Sequence, residues 1–145
     1  MFTEGKVLSK TEACQFNPVV LAFLGDAVYS SYVRERLVLT GAGKPSQLQK
    51  TAANIVSAKG QSVFVENLIS LFSEEELAVF RRGKNAKKAT KSKSASSLEY
   101  SRSTGFEAVL GYLYLIGEDE RIKELLSHND ETLFRLVKEE QVFKP

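Results

Sequence analysis

The stretch Leu21-Ala22-Phe23-Leu24-Gly25-Asp26-Ala27-Val28-Tyr29 is apolar except for a single charged residue, Asp26. Apolar residues recur there at intervals of three and four, the spacing of one helix face, and they include Leu21, Leu24, Val28 and Tyr32. Asn17 and Pro18, just before the run, are typical of an N-cap followed by proline at the first helical position. Aspartate is a poor residue for a helix interior, so we expect Asp26 to be buried for a specific reason.

A second carboxylate stands in similar surroundings. Glu107 is the only acid in the apolar stretch 103–117. A buried carboxylate is costly unless it is paired or bound to a cation. Two of them on different helices could share one Mg²⁺, which proteins usually hold through one or two carboxylates, waters and substrate phosphates. The sequence therefore predicts a metal site at Asp26 and Glu107, although pairing of each acid with a basic residue, such as Asp26 with Arg34, also fits the spacing.

The rest of the chain is helical in pattern as well. Ser46, Ser73 and Ser96 are each followed three residues later by Gln or Glu, the capping-box signature of a helix start. No segment shows sustained alternation of apolar and polar residues, which a half-buried strand would require. We predict an all-α single domain over residues 1–145, with about six or seven helices and one substantial loop at residues 83–95.

The composition excludes several classes of protein. The 145 residues, 43% of them hydrophobic, suffice for one core and argue against disorder as the dominant state. A single cysteine, Cys14, excludes a disulfide framework, and a single histidine, His128, excludes a histidine-rich metal centre. The sequence has no apolar run of about 18 residues and no apolar leader, so we expect a cytoplasmic protein with no membrane segment.

The positive charge is concentrated in one segment. Residues 81–102 hold eight basic residues and one acid, although the whole chain has a net charge of only +2. Such a segment predicts polyanion binding, while a solvated loop whose lysines aid solubility is the alternative. Aromatic residues are missing from the segment until Tyr100, which favours contact with a phosphate backbone over stacking on bases.

Both acidic stretches resemble the ribonuclease III family. The run around Asp26 is similar to the signature helix of its catalytic domain, and Phe106–Tyr114 is similar to its second acidic helix. Three further stretches, 55–61 (IVSAKGQ), 81–87 (RRGKNAK) and 100–107 (YSRSTGFE), resemble the bacterial Mini-ribonuclease III subfamily. The resemblance covers about residues 17–126, and we expect no double-stranded-RNA-binding domain, because the subfamily consists of the catalytic domain alone.

The resemblance implies a fold, an activity and partners. It implies a ribonuclease III catalytic-domain-like helical bundle that forms a homodimer and cleaves double-stranded RNA, leaving 5′-phosphate and 3′-hydroxyl ends. Asp26 and Glu107 would be both the catalytic residues and the Mg²⁺ ligands. Phe23 would lie in the dimer interface, with ordinary core as the alternative. The implied substrate is precursor 23S ribosomal RNA, trimmed at its paired ends, with a ribosomal protein aiding the cleavage.

The sequence also departs from most of that family. Three positions that usually carry further acids hold Val19, Ala22 and Thr104, as is similarly the case in the subfamily, and this reduction favours one Mg²⁺ over two. It also leaves a rival function, a catalytically silent protein of the same fold that binds or scaffolds ribosomal RNA.

Without a separate binding domain, the basic residues have to supply much of the affinity for RNA. Recognition is expected to be mostly by shape and phosphate contact, because the A-form major groove is too narrow to read. The predicted RNA-binding residues are Lys59, Arg82, Lys84, Asn85, Lys87, Lys88, Lys91 and Lys93.

Overall fold

The computed structural model describes residues 6–41, 43–86 and 97–131, and within these ranges it contains helices, turns and loops but no strand. The helices are α1 (Lys10–Cys14), α2 (Pro18–Leu39), α3 (Pro45–Val56), α4 (Ala58–Leu68), α5 (Glu74–Lys84), α6 (Ser97–Leu115) and α7 (Asp119–Ser127), with a 3₁₀ turn at Ile69–Leu71. The predicted all-α class is confirmed, and the seven α-helices of the described ranges agree with the predicted six or seven.

Helix α6 forms the centre of the molecule. Nearly every residue from Ser103 to Tyr114 is buried, Glu107 being the exception. A helix that is apolar on all sides must be enclosed, and α2, α4 and α5 pack around this one. The core therefore surrounds the helix that carries Glu107.

An ion pair fixes the outer helix α7 to this core. Arg121 donates to both carboxylate oxygens of Glu76, at 2.9 and 2.8 Å, and to the carbonyl of Leu71 at 2.7 Å. Glu76 is buried and also closes the capping box with Ser73 at the start of α5. Because every oxygen of the buried carboxylate has a donor, the charge is compensated.

The predicted loop at residues 83–95 begins later than expected. Gly83 and Lys84 are the last residues of α5, and Asn85 caps it. Gly83 is buried against the backbone of α6. A Cβ at this position would lie only 2.9 Å from the Cα of Gly105. This packing, rather than a turn, explains the glycine. Residues 87–95 of the predicted loop lie outside the described residues.

The described helices also bear on the expectation about membranes. In the described ranges none combines the length with the apolar character that crossing a bilayer requires.

Candidate active site

Two glycines allow α2 and α6 to cross with their backbones in contact. A Cβ on Gly25 would overlap the carbonyl oxygen of Glu107 and lie 2.9 Å from the amide nitrogen of Gly111. A Cβ on Gly111 would in turn overlap the carbonyl of Leu21. Only glycine at these two positions permits so close an approach. Because Asp26 follows Gly25, the crossing brings Asp26 next to Glu107.

The two predicted acids lie side by side. The side chains of Asp26 and Glu107 are within hydrogen-bonding distance. Burial raises the pKa of the Glu107 carboxyl to about 9, and the hydrogen bond and charge of Asp26 act in the same direction, against a donated hydrogen bond from Gln61. Without a cation, we therefore expect the Glu107 carboxyl to keep its proton at neutral pH.

The pair is open to solvent on one side. Glu107 is half-buried, whereas Asp26 is exposed, so the expectation that Asp26 is buried is wrong. The reason is that part of the apolar run on α2 is itself exposed: Phe23 is 82% exposed and Val20 51%. The core alternative for Phe23 is thereby also wrong. In the single chain, Asp26 is therefore open to solvent.

Sequence reasoning missed Gln61 as a residue of this site. Its Nε2 donates to Oε2 of Glu107 at 3.1 Å and to the carbonyl of Val56 at 2.7 Å. The side chain is buried, and its Oε1 has no hydrogen-bond partner among the described residues. A signal was present in the sequence, because Gln61 occupies the apolar face of α4 together with Phe64, Val65 and Leu68.

The donor set fits a hard divalent cation. Two adjacent carboxylates and a buried amide oxygen without a partner are the oxygen ligands that Mg²⁺ takes directly or through water. No group of three or more acidic, histidine or cysteine side chains that could hold a metal occurs in the described part of the chain. A pair of carboxylates suits one ion better than two.

The raised pKa of Glu107 predicts how the metal-free protein responds to pH. The ordinary pKa of this carboxyl is 4.5 and its folded value is about 9. Between these values the folded state holds more protons than the unfolded state, so stability falls as pH rises. We expect Tm in EDTA to decrease from about pH 5 to about pH 9, and Glu107→Gln to remove most of that decrease. Calorimetry at several pH values checks this, and equal slopes for both proteins would contradict it.

The described basic candidates have different surroundings. Lys59 is exposed in the first turn of α4, Lys84 is half-buried at the end of α5, and Asn85 is exposed. Arg82 donates to the carbonyls of Cys14 at 3.1 Å and Phe16 at 3.2 Å, and so holds the segment that leads into α2. The other four candidates, Lys87, Lys88, Lys91 and Lys93, lie outside the described residues.

Comparison with known proteins gives consistent matches. A family profile described as "Ribonuclease III domain" matches residues 19–118. The Mini-ribonuclease 3 of Brevibacillus brevis is 50% identical over 110 residues, which is 76% of this chain and 82% of that protein. The Mini-ribonuclease 3 of Clostridium tetani is 41% identical over 123 residues, 84% of this chain and 82% of that protein. A crystal structure of a Fusobacterium nucleatum protein superposes with a TM-score of 0.72 at 33% identity, covering 78% of this chain and 92% of that one.

Proposed function

Because this chain belongs to the Mini-ribonuclease 3 family of ribonuclease III enzymes, it is an endoribonuclease, and we propose that it cleaves double-stranded RNA with the help of Mg²⁺. The proposed substrate is the paired ends of precursor 23S ribosomal RNA. The observation that carries the proposal is the contact between Asp26 and Glu107, on two different helices, at a position open to solvent.

Asp26 and Glu107 have different proposed roles because they differ in solvent exposure. Asp26 and Glu107 would hold the ion, which when bound makes a neighbouring water more acidic and neutralises charge on the phosphoryl oxygens. Asp26, the exposed acid, accepts a hydrogen bond from the attacking water and orients it toward phosphorus. Attack with departure of the 3′-oxygen leaves a 5′-phosphate on one product and a 3′-hydroxyl on the other. Gln61 donates a hydrogen bond to Glu107 and so holds its carboxyl group in position.

The direct test is cleavage of a defined RNA duplex. Purified protein is incubated with labelled duplex from the precursor 23S ends, in Mg²⁺ or in EDTA, beside a DNA duplex of the same sequence. We expect the RNA to be cut, with 5′-phosphate ends, only in the reaction that contains Mg²⁺. We expect the DNA to stay intact. Tight binding of RNA that stays intact in Mg²⁺ would instead support the scaffold function. Repeating the reaction on precursor ribosomal particles tests whether a ribosomal protein aids cleavage.

The exposed apolar stripe on α2 supports a homodimer. Val20, Phe23 and Ala27 are exposed at helical spacing on the side of α2 that also carries Asp26. Exposed apolar residues in a stripe of this kind mark an interaction surface. Two copies joined through α2 would place two acid pairs in one molecule, one for each RNA strand.

We expect Phe23→Glu to convert a dimer into a monomer. A charge in the middle of an apolar contact would have to be buried without a partner. Light scattering after gel filtration measures the mass, and Val63→Glu, at an exposed apolar position on α4, is the matched control that should stay dimeric. A monomeric wild type, or a dimeric Phe23→Glu variant, would contradict the proposed interface.

Replacing basic residues should weaken RNA binding without regard to sequence. Each lysine that contacts a phosphate releases about one counterion when RNA binds. The plot of log affinity against log salt, which falls with salt, should therefore become less steep by about one in Lys59→Ala. It should become less steep by about two in Lys59→Ala with Lys84→Ala. Binding is measured in an Asp26→Asn background to prevent cleavage. Lys123→Ala, an exposed lysine on α7, should leave the slope unchanged. A slope unaffected by the double change would exclude these contacts.

A further inference from the structure

The side chain of Gln61 forms a buried floor beneath the acid pair. It is only 2% exposed and reaches Glu107 from α4, a helix that contributes neither of the two acids. Its amide therefore joins a third helix to the site. Asp26 lies on α2 and Glu107 on α6, so the contact from α4 needs a separate explanation.

Both hydrogens of the amide nitrogen are in use. One donates to Glu107 Oε2 at 3.1 Å and the other to the carbonyl oxygen of Val56, the last residue of α3, at 2.7 Å. The opposite orientation of the amide would set Oε1 against two acceptors, so the hydrogen-bond network fixes which way it faces. The carboxylate of Glu107 is thus tied to the junction of α3 and α4.

The fixed orientation leaves an acceptor without a donor. Oε1 of Gln61 is buried, and no described residue donates to it. Buried polar atoms without a partner in the protein are usually satisfied by a bound water. Beside two carboxylates suited to a divalent cation, the water expected is one from the shell of that cation, since Mg²⁺ keeps several of its waters.

We propose that Gln61 is a positioning residue of the metal site, with Nε2 holding the carboxylate of Glu107 and Oε1 accepting a hydrogen bond from a water of the Mg²⁺ shell. This inference rests on the proposed metal-dependent function and extends it. It accounts for how a site with two carboxylates retains the ion, because hydrogen bonds to ligands and their waters are typically worth ten- to a hundredfold in metal affinity or activity.

The test is metal binding by a variant that keeps the volume and loses the amide. Calorimetric titration with Mn²⁺ at one fixed pH should show Gln61→Met binding about ten- to a hundredfold more weakly than wild type. The KM for duplex RNA should stay unchanged while kcat falls, because the residue does not contact RNA. Ser62→Ala, at the next buried polar position on α4, is the matched control and should bind Mn²⁺ like wild type. Wild-type affinity and kcat in Gln61→Met would overturn the proposal.

A second variant covers the case in which Gln61→Met fails to fold. Gln61→Glu keeps an acceptor and the shape, but its ionised carboxylate has no hydrogen to donate to Glu107, so we expect Mn²⁺ affinity no weaker than wild type and a kcat at least about tenfold lower. A wild-type kcat in this variant would refute the positioning role. If the wild-type protein itself neither binds Mn²⁺ nor cuts RNA, the proposed function is what fails. If the wild type does both and the variants match it, the inference alone fails.

Discussion

Asp26→Asn is expected to lower kcat for duplex RNA by roughly 10³-fold or more while leaving duplex affinity in EDTA unchanged. Asparagine keeps the shape of the side chain but loses the negative charge that a divalent cation requires. It also replaces one carboxylate oxygen by an amide donor, which cannot accept a hydrogen bond from the attacking water. Asp26 is exposed, so its replacement leaves the core packing untouched.

A matched control separates this loss from a general effect of charge. Glu35→Gln makes the same change of acid to amide at an exposed position further along α2, and it should retain wild-type kcat. Single-turnover cleavage with excess enzyme measures the chemical step, and filter binding in EDTA measures affinity. An Asp26→Asn protein that cuts at more than about a tenth of the wild-type rate would remove Asp26 from the chemistry.

Gly25→Ala is expected to have the largest effect on stability. The added methyl group would overlap the carbonyl oxygen of Glu107, and the atoms it meets are backbone atoms of α6 that no side-chain rotation can move away. Overpacking typically costs 1–3 kcal/mol and sometimes more, and we expect about 3 kcal/mol here, a fall in Tm of roughly 10 °C. Activity should fall as well, because separating the helices draws Asp26 away from Glu107.

The control for Gly25→Ala adds a carbon atom elsewhere on the same helix. Ser31→Thr does so at an exposed position of α2 and should shift Tm by no more than about 2 °C. Calorimetry of the two variants, in Mg²⁺ and in EDTA, gives the comparison. If Gly25→Ala melts like the wild type and cuts RNA normally, the helices do not cross as closely as described.

The helices, and the unusual setting of Asp26 and of Glu107 within apolar stretches, were predictable because each of these signals is local. Ser73 and the glutamate three residues later mark the start of α5, and the apolar run through α6 marks the central helix. The predicted N-cap at Ser46 was off by two residues, since Lys44 is the N-cap, Pro45 takes the first helical position and Gln47 accepts from the amide of Lys44. The fixed φ of proline suits that position.

The rest of the site depends on contacts between distant parts of the chain. Gln61 and Glu107 are 46 residues apart, and no pattern within α4 states that its buried amide meets an acid of α6. The exposure of Asp26 was unpredictable for a different reason. The sequence of an apolar run does not show whether its residues face the core or the solvent, and α2 has apolar residues of both kinds.

The glycine crossing makes the main chain, and not a flexible side chain, responsible for the spacing of the two acids. The cost of burying the Glu107 carboxyl beside Asp26 is therefore met when the chain folds, before any RNA arrives, so the scaffold gives up some of its own stability to stay ready for catalysis. Selection for thermal tolerance alone would favour neutral residues at this crossing. We expect more thermostable variants of this enzyme to be poorer nucleases unless the stabilising substitutions lie elsewhere, for instance at the contact between Arg121 and Glu76.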